Sequence, residues 1–234
     1  MGKNNRRKQR STALSIVLNM GAALLVVILL QLFVVKIYQV PSESMEPTLN
    51  VGDRIVANRI GQNFGPRVNG DIIVFSQPET WSDTPIDAEQ SFIKKSVKAI
   101  GDISGIGPSN TKYVVKRIVG LPGETIECCS SEGSLSRNGE TVNEPYVFHD
   151  LPFIPGQLSC ESKARSPRCF SQIIVPAGHY LVMGDNRNNS EDSVSGCRMY
   201  SASESNGCAR FVPIENVIGK VGATVWPLRN ARFF

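Results

Sequence analysis

Residues Ala13 to Val35 are 23 consecutive positions without a charge, interrupted by only three polar side chains, Ser15, Asn19 and Gln31. A helix covering ~30 Å of hydrocarbon needs about 20 residues, so the run predicts one transmembrane helix, drawn over 12–36. Lys3, Arg6, Arg7, Lys8 and Arg10 crowd the start with no acid among them. Such a cluster also suits nucleic acid. Set against a membrane-length segment, it reads instead as a cytoplasmic tail, 1–11, that sends the rest of the chain across. The expected partner is therefore a lipid bilayer and not nucleic acid. A cleavable leader shares the basic-then-apolar order, but its core is usually about 7–15 residues and ends in a small-x-small site. The following Lys36-Ile37-Tyr38-Gln39-Val40 offers no such site, so the segment is expected to stay as an anchor.

All six cysteines follow the anchor. Cys160 and Cys169 bracket one polar loop, and Cys197 and Cys208 bracket another, spacings that suit local disulfides in an oxidising compartment. Cys128 and Cys129 are adjacent, a spacing that strains a bridge, and their state stays open. Zinc is the competing use of cysteine. No Cys-x-x-Cys occurs and the chain has only His149 and His179, so no metal is expected; the serine chemistry read below implies no cofactor either.

Beyond the anchor the pattern is β. Short β-branched runs bounded by Gly, Asn and Pro appear at Val51–Ala57, Gly70–Phe75, Tyr113–Val119, Ile173–Val175, Tyr180–Met183 and Val217–Val221. Asp87 to Ile100 is ambiguous between helix and strand. The weaker stretches Gln77–Lys112 and Ser130–Gln172 read as insertions or surface ribbons. The fold class expected is mostly β, an antiparallel assembly on one N-terminal helix.

Three segments carry chemistry. Ser44 lies in Pro41-Ser42-Glu43-Ser44-Met45-Glu46-Pro47-Thr48-Leu49, which alone is an ordinary turn composition. It lies eight residues past Lys36, at most about 28 Å from the anchor end even if fully extended. A substrate held in the bilayer would present its scissile bond at that level. Lys116 closes the apolar run Tyr113-Val114-Val115 and is followed by Arg117. Serine is a poor nucleophile until a base takes its proton, and an amine does so once burial lowers its pKa. An ordinary lysine near 10.4 needs a shift of about three units, roughly 4 kcal/mol. Burial among Val114, Val115, Ile118 and Met45 is the expected source. Arg117 should point to the opposite strand face, where an acid must balance it. The third segment is Gly184-Asp185-Asn186-Arg187-Asn188-Asn189-Ser190-Glu191-Asp192-Ser193. A histidine base fits poorly: His149 and Asp150 are adjacent in the chain, which seldom lets side chains meet, and His179 sits in a Pro-Ala-Gly-His turn.

These segments together resemble bacterial type I signal peptidase (leader peptidase), a serine–lysine dyad family. Gly70–Phe75, Gly120-Leu121-Pro122-Gly123-Glu124 and Asn138 to Tyr146 also match, in islands from about Tyr38 to Pro227. The resemblance implies a catalytic β core from 37–124 and 175–234 with an inserted β subdomain at 125–174. It implies Ser44 as nucleophile, Lys116 as general base, and Ser42 as an oxyanion donor with the Ser44 amide. Ser190 would hydrogen-bond Lys116, Asp185 would balance Arg117, and Asp192 would brace the loop. Where the family usually has an arginine two residues after that aspartate, this chain has Val194, leaving Arg187 or Arg198 as its partner. Glu43, where small residues are often found, is expected to face solvent or headgroups. Shallow apolar pockets near Val40, Met45, Val114 and Val115 would select small side chains at the −3 and −1 positions of preprotein signal peptides. The implied location is the bacterial inner (plasma) membrane with the catalytic domain outside, alongside the export machinery. Two other readings stay open: a dedicated conjugation- or pilus-associated peptidase of the same clan, and an inactive anchored domain that binds export partners.

Overall fold

The computed structural model describes residues 14–26, 35–58, 66–81, 112–198 and 207–234. The strands are β1 (Val35–Gln39), β2 (Arg54–Asn58), β3 (Ile72–Ser76), β4 (Tyr113–Gly120), β5 (Thr125–Cys128), β6 (Leu135–Arg137), β7 (Glu140–Thr141), β8 (Leu158–Ser159), β9 (Ala164–Arg165), β10 (Phe170–Ile174), β11 (His179–Met183), β12 (Val212–Pro213), β13 (Val217–Trp226) and β14 (Arg232–Phe233). The larger sheet runs β1-β2-β13-β3-β4-β11-β12, with β14 beside β13. A second sheet runs β10-β5-β6-β7, and β8 and β9 form a separate parallel pair. The two larger sheets are antiparallel throughout.

The continuous apolar run Ile72-Ile73-Val74-Phe75 has a simple cause: β3 is buried on both faces. Ile72 and Val74 enter one cluster with Tyr38, Met45, Leu49, Ile55 and Val115. Ile73 and Phe75 enter another with Trp81, Ile118, Tyr180 and Val182. Alternation is lost when both faces are covered, and each such side chain contributes about 1.5–3 kcal/mol on burial. A third cluster joins the sheets, setting Val119, Leu181 and Met183 against Ile126, Leu135, Phe170 and Ile173. Short strands β6 and β7 were not legible as strands within Ser130–Gln172. Yet Leu135 and Ser136 are buried, because β6 pairs with β5 across Cys128↔Leu135.

One boundary moves. Val35 and Lys36, placed at the end of the anchor from hydropathy, belong to β1, paired with Asn58 and Ala57 of β2. Hydropathy cannot separate the end of an apolar helix from the start of an apolar edge strand; the ladder does. Residues 14–26 are helical, while 1–13 and 27–34 lie outside the described residues, as does Asp87 to Ile100. Among the described residues no helix is long and apolar enough to cross a membrane. Disulfides join Cys160 to Cys169 and Cys197 to Cys208, with Cα separations of 5.4 and 5.0 Å. Cys128 and Cys129 are also bridged.

Candidate active site

The Ser44 turn follows β1 directly. Ser42 is extended, Glu43–Met45 form one 3₁₀ turn, and Ser44 and Met45 are buried while Glu43 stays exposed. Met45 anchors the turn by packing with Val115 and Leu49, which ties the serine segment to the strand that carries Lys116. Ser42 Oγ lies 3.3 Å from Ser44 Oγ. An apolar-walled cleft of about 160 Å³ opens here, lined by Val40, Pro41, Ser42, Ser44, Met45, Tyr113, Val114 and Val115. It gathers the two serines and all four residues expected to contact substrate. Tyr113 was not singled out from sequence, because a strand-start tyrosine carries no distinguishing pattern.

The Gly184–Ser193 segment closes on this turn from behind. The Asn186 backbone N–H donates to the Ser44 carbonyl at 3.1 Å, and Asn186 Nδ2 donates to the Glu43 carbonyl at 3.3 Å. Asn189 Nδ2 donates to the Glu43 carboxylate at 2.8 Å. Glu43 therefore faces outward, as expected, and is tied to the loop behind it. A Cβ on Gly184 would overlap both Ser190 Oγ and the Ser44 carbonyl oxygen; only glycine permits this approach.

Lys116 is 3% exposed. Burial lowers its pKa from 10.5 to about 8, opposed by the charges of Asp192, Asp185 and Glu191 and assisted by Arg198. The two nearby aspartates are held by arginines. Arg117 grips Asp185 through Nε–Oδ1 at 2.8 Å and Nη2–Oδ2 at 2.5 Å, and its Nη1 donates to the Gly70 carbonyl at 2.8 Å. Its guanidinium stacks 3.9 Å over the Tyr146 ring. Arg198 Nη2 reaches Asp192 Oδ2 at 3.1 Å, taking the place left empty at Val194. Asp192 also accepts from the Val194 N–H at 3.2 Å. Arg187, the other candidate for that place, is instead paired with Glu144 at 2.6 Å, both nearly buried.

One expected contact is not made. Ser190 Oγ is buried without a hydrogen-bond partner, so it does not bond Lys116; it packs against Gly184 beside the Ser44 backbone. The histidines do not line the cleft. His149 is exposed and stacks on Phe148 at 3.9 Å, and His179 Nδ1 donates to the Ala177 carbonyl oxygen at 2.9 Å.

The family model described as signal peptidase, peptidase S26, matches residues 13–226. The chain belongs to that family. It is 36% identical over 211 residues to a probable signal peptidase I of Mycobacterium leprae, covering 83% of this chain and 70% of that protein. A signal peptidase I of Mycobacterium tuberculosis is 35% identical over 203 residues, covering 83% and 66%. A probable signal peptidase I-1 of Synechocystis is 33% identical over 198 residues, covering 84% and 74%. The family match includes the Ser44 turn, β4 and the Gly184–Ser193 loop alike.

Proposed function

We propose that this chain is a membrane-anchored serine endopeptidase that removes N-terminal signal peptides from exported preproteins. The observation that carries the reading is the cleft, which sets Ser42 and Ser44 against Val114 and Val115, one residue from a buried lysine. With a pKa of about 8, Lys116 is partly neutral at physiological pH and can accept the Ser44 proton. Ser44 Oγ then attacks the scissile carbonyl. The developing oxyanion takes hydrogen bonds from Ser42 Oγ and the Ser44 amide, donors whose single loss typically costs 10²–10³ in rate. The Lys116 ammonium returns its proton to the departing amine. An acyl-enzyme on Ser44 remains and is hydrolysed by water activated by the same amine. The cleft walls are apolar and its volume small, which favours small side chains next to the scissile bond.

The N-terminal helical stretch is consistent with the same reading. In the helical stretch, Leu14, Val17, Leu18, Met20 and Leu24 are all more than 60% exposed. An apolar surface around most of a helix, left uncovered by the described residues, suits lipid. At the exit, Lys36 Nζ lies 5.3 and 5.2 Å from the rings of Tyr38 and Tyr113, residue types that favour the headgroup level. Tyr113 also lines the cleft, so the cleft sits close to the expected membrane surface. The disulfides fit an exported domain.

The test is incubation of the purified full chain with a preprotein, wild type beside Ser44→Ala. The reading requires cleavage at one position by the wild type and none by the variant. Equal cleavage by both, or none by either, contradicts it.

A further inference from the structure

The cysteines outside the active site are not three independent staples. The pairing of Cys128 with Phe170 across β5 and β10 brings the end of one strand beside the start of the other. Cys129 follows the first and Cys169 precedes the second. In consequence the Sγ atoms of Cys129, Cys160 and Cys169 all lie within 4.8 Å of one another. Cys160 Sγ is also 3.5 Å from the Cys128 carbonyl oxygen. Four cysteines in two disulfides thus share one site at the edge of the second sheet, while Cys197–Cys208 closes a separate loop.

We propose that Cys128, Cys129, Cys160 and Cys169 form a thiol–disulfide exchange site, in which Cys129 moves between Cys128 and Cys169. The first step needs an external dithiol, of the protein or small-molecule class. It attacks the Cys128–Cys129 bridge, becomes a disulfide itself, and leaves both cysteines reduced, two electrons and two protons having been transferred. The second step is redox-neutral. The Cys129 thiolate attacks Cys169 Sγ, the Cys160–Cys169 bond breaks, a Cys129–Cys169 bond forms, and Cys160 departs as a thiolate that takes a proton from water.

Two observations select Cys169 as the sulfur attacked. Exchange is faster when the departing thiol is the better-stabilised anion. Cys169 is fully buried whereas Cys160 is half-buried, and burial in apolar surroundings disfavours a thiolate. Arg165 Nη1 donates to the Cys160 carbonyl at 3.2 Å, so a cation stands beside the departing residue. The product leaves the 160–169 loop unclosed while keeping Cys169 tied to β5.

The sequence makes the test direct. Trypsin cuts at Arg117, Arg137, Lys163, Arg168 and Arg187, placing Cys128 and Cys129 in peptide 118–137, Cys160 in 138–163 and Cys169 in 169–187. The full chain is equilibrated in graded dithiothreitol, quenched with acid, alkylated and digested without reduction. The expected result is loss of the 138–163/169–187 linked peptide and gain of a 118–137/169–187 linked peptide, with Cys160 alkylated. Cys128→Ser frees Cys129 without added reductant and should show the new link directly; Cys129→Ser should never show it. The Cys197–Cys208 link reports that each variant has folded. Should Cys128→Ser fail to fold, the wild-type titration decides alone. Retention of only the 138–163/169–187 link, with Cys129 fully alkylated, overturns the proposal. So does a Cys128-dependent link in Cys129→Ser.

Discussion

The Asn186 backbone N–H donates to the Ser44 carbonyl at 3.1 Å. Through that bond, the loop that surrounds Lys116 with charge also fixes the conformation of the serine turn. The contact exists because Gly184 brings its backbone against the Ser44 carbonyl and Ser190 with no Cβ between them. Gly184→Ala should therefore separate turn and loop. Displacing reacting groups by about 1 Å can cost 10²-fold in rate, so kcat should fall at least that far. The Ser44→Ala enzyme serves as the zero of the assay.

Asp185→Asn leaves the Arg117 guanidinium buried with the Gly70 carbonyl but without its carboxylate. Breaking one side of a buried ion pair costs about 3–5 kcal/mol. Urea unfolding should show a loss of that order, with the denaturant slope unchanged.

Lys116→Met should separate stability from activity. Lys116 has a folded pKa lowered from 10.5 to about 8. Below about pH 8 both folded and unfolded chains hold its proton, and the folded state bears the full cost of burying the ammonium. Between about 8 and 10.5 the unfolded chain holds the extra proton, so wild-type stability rises with pH. A shift of this size corresponds to about 3 kcal/mol. Lys116→Met should thus be more stable than wild type at pH 7, and its advantage should vanish above about pH 10.5. Denaturation midpoints across that range check this.

Much of this site was legible without coordinates, for reasons that can be named. Ser44, Lys116, Arg117 and Asp185 stood out because segments that are ordinary one by one combine in a resemblance that spans several islands. Strand alternation sends Arg117 away from Lys116 and obliges an acid to meet it, but only the resemblance named Asp185 as that acid, and the two are paired. The Arg198–Asp192 pair was narrowed only to two arginines, since choosing between them needed the buried Arg187–Glu144 pair. Ser190 was given a bond it does not make, because a motif position fixes where a residue is but not where its hydroxyl points. The start of β1 was hidden inside an apolar run whose hydropathy is the same for helix and strand. The short strands of the second sheet carry too few residues for a period of two to show.

Arg198→Met should move the pH–rate profile. The Arg198 cation lowers the Lys116 pKa while Asp192 raises it, so removing the arginine leaves the aspartate unopposed. For wild type, kcat/KM should rise with pH through about 8. In Arg198→Met the rising limb should lie at higher pH, with activity partly recovered on the alkaline side. A limb that stays put would show that Arg198 only supports the loop.

Whether the Lys116 amine takes the Ser44 proton is read from preprotein cleavage by Lys116→Arg. Arginine keeps the positive charge but cannot give up its proton near neutrality. Lys116→Arg should therefore cleave no faster than Ser44→Ala at any pH between about 7 and about 10. Substantial cleavage by Lys116→Arg would contradict that role for the Lys116 amine.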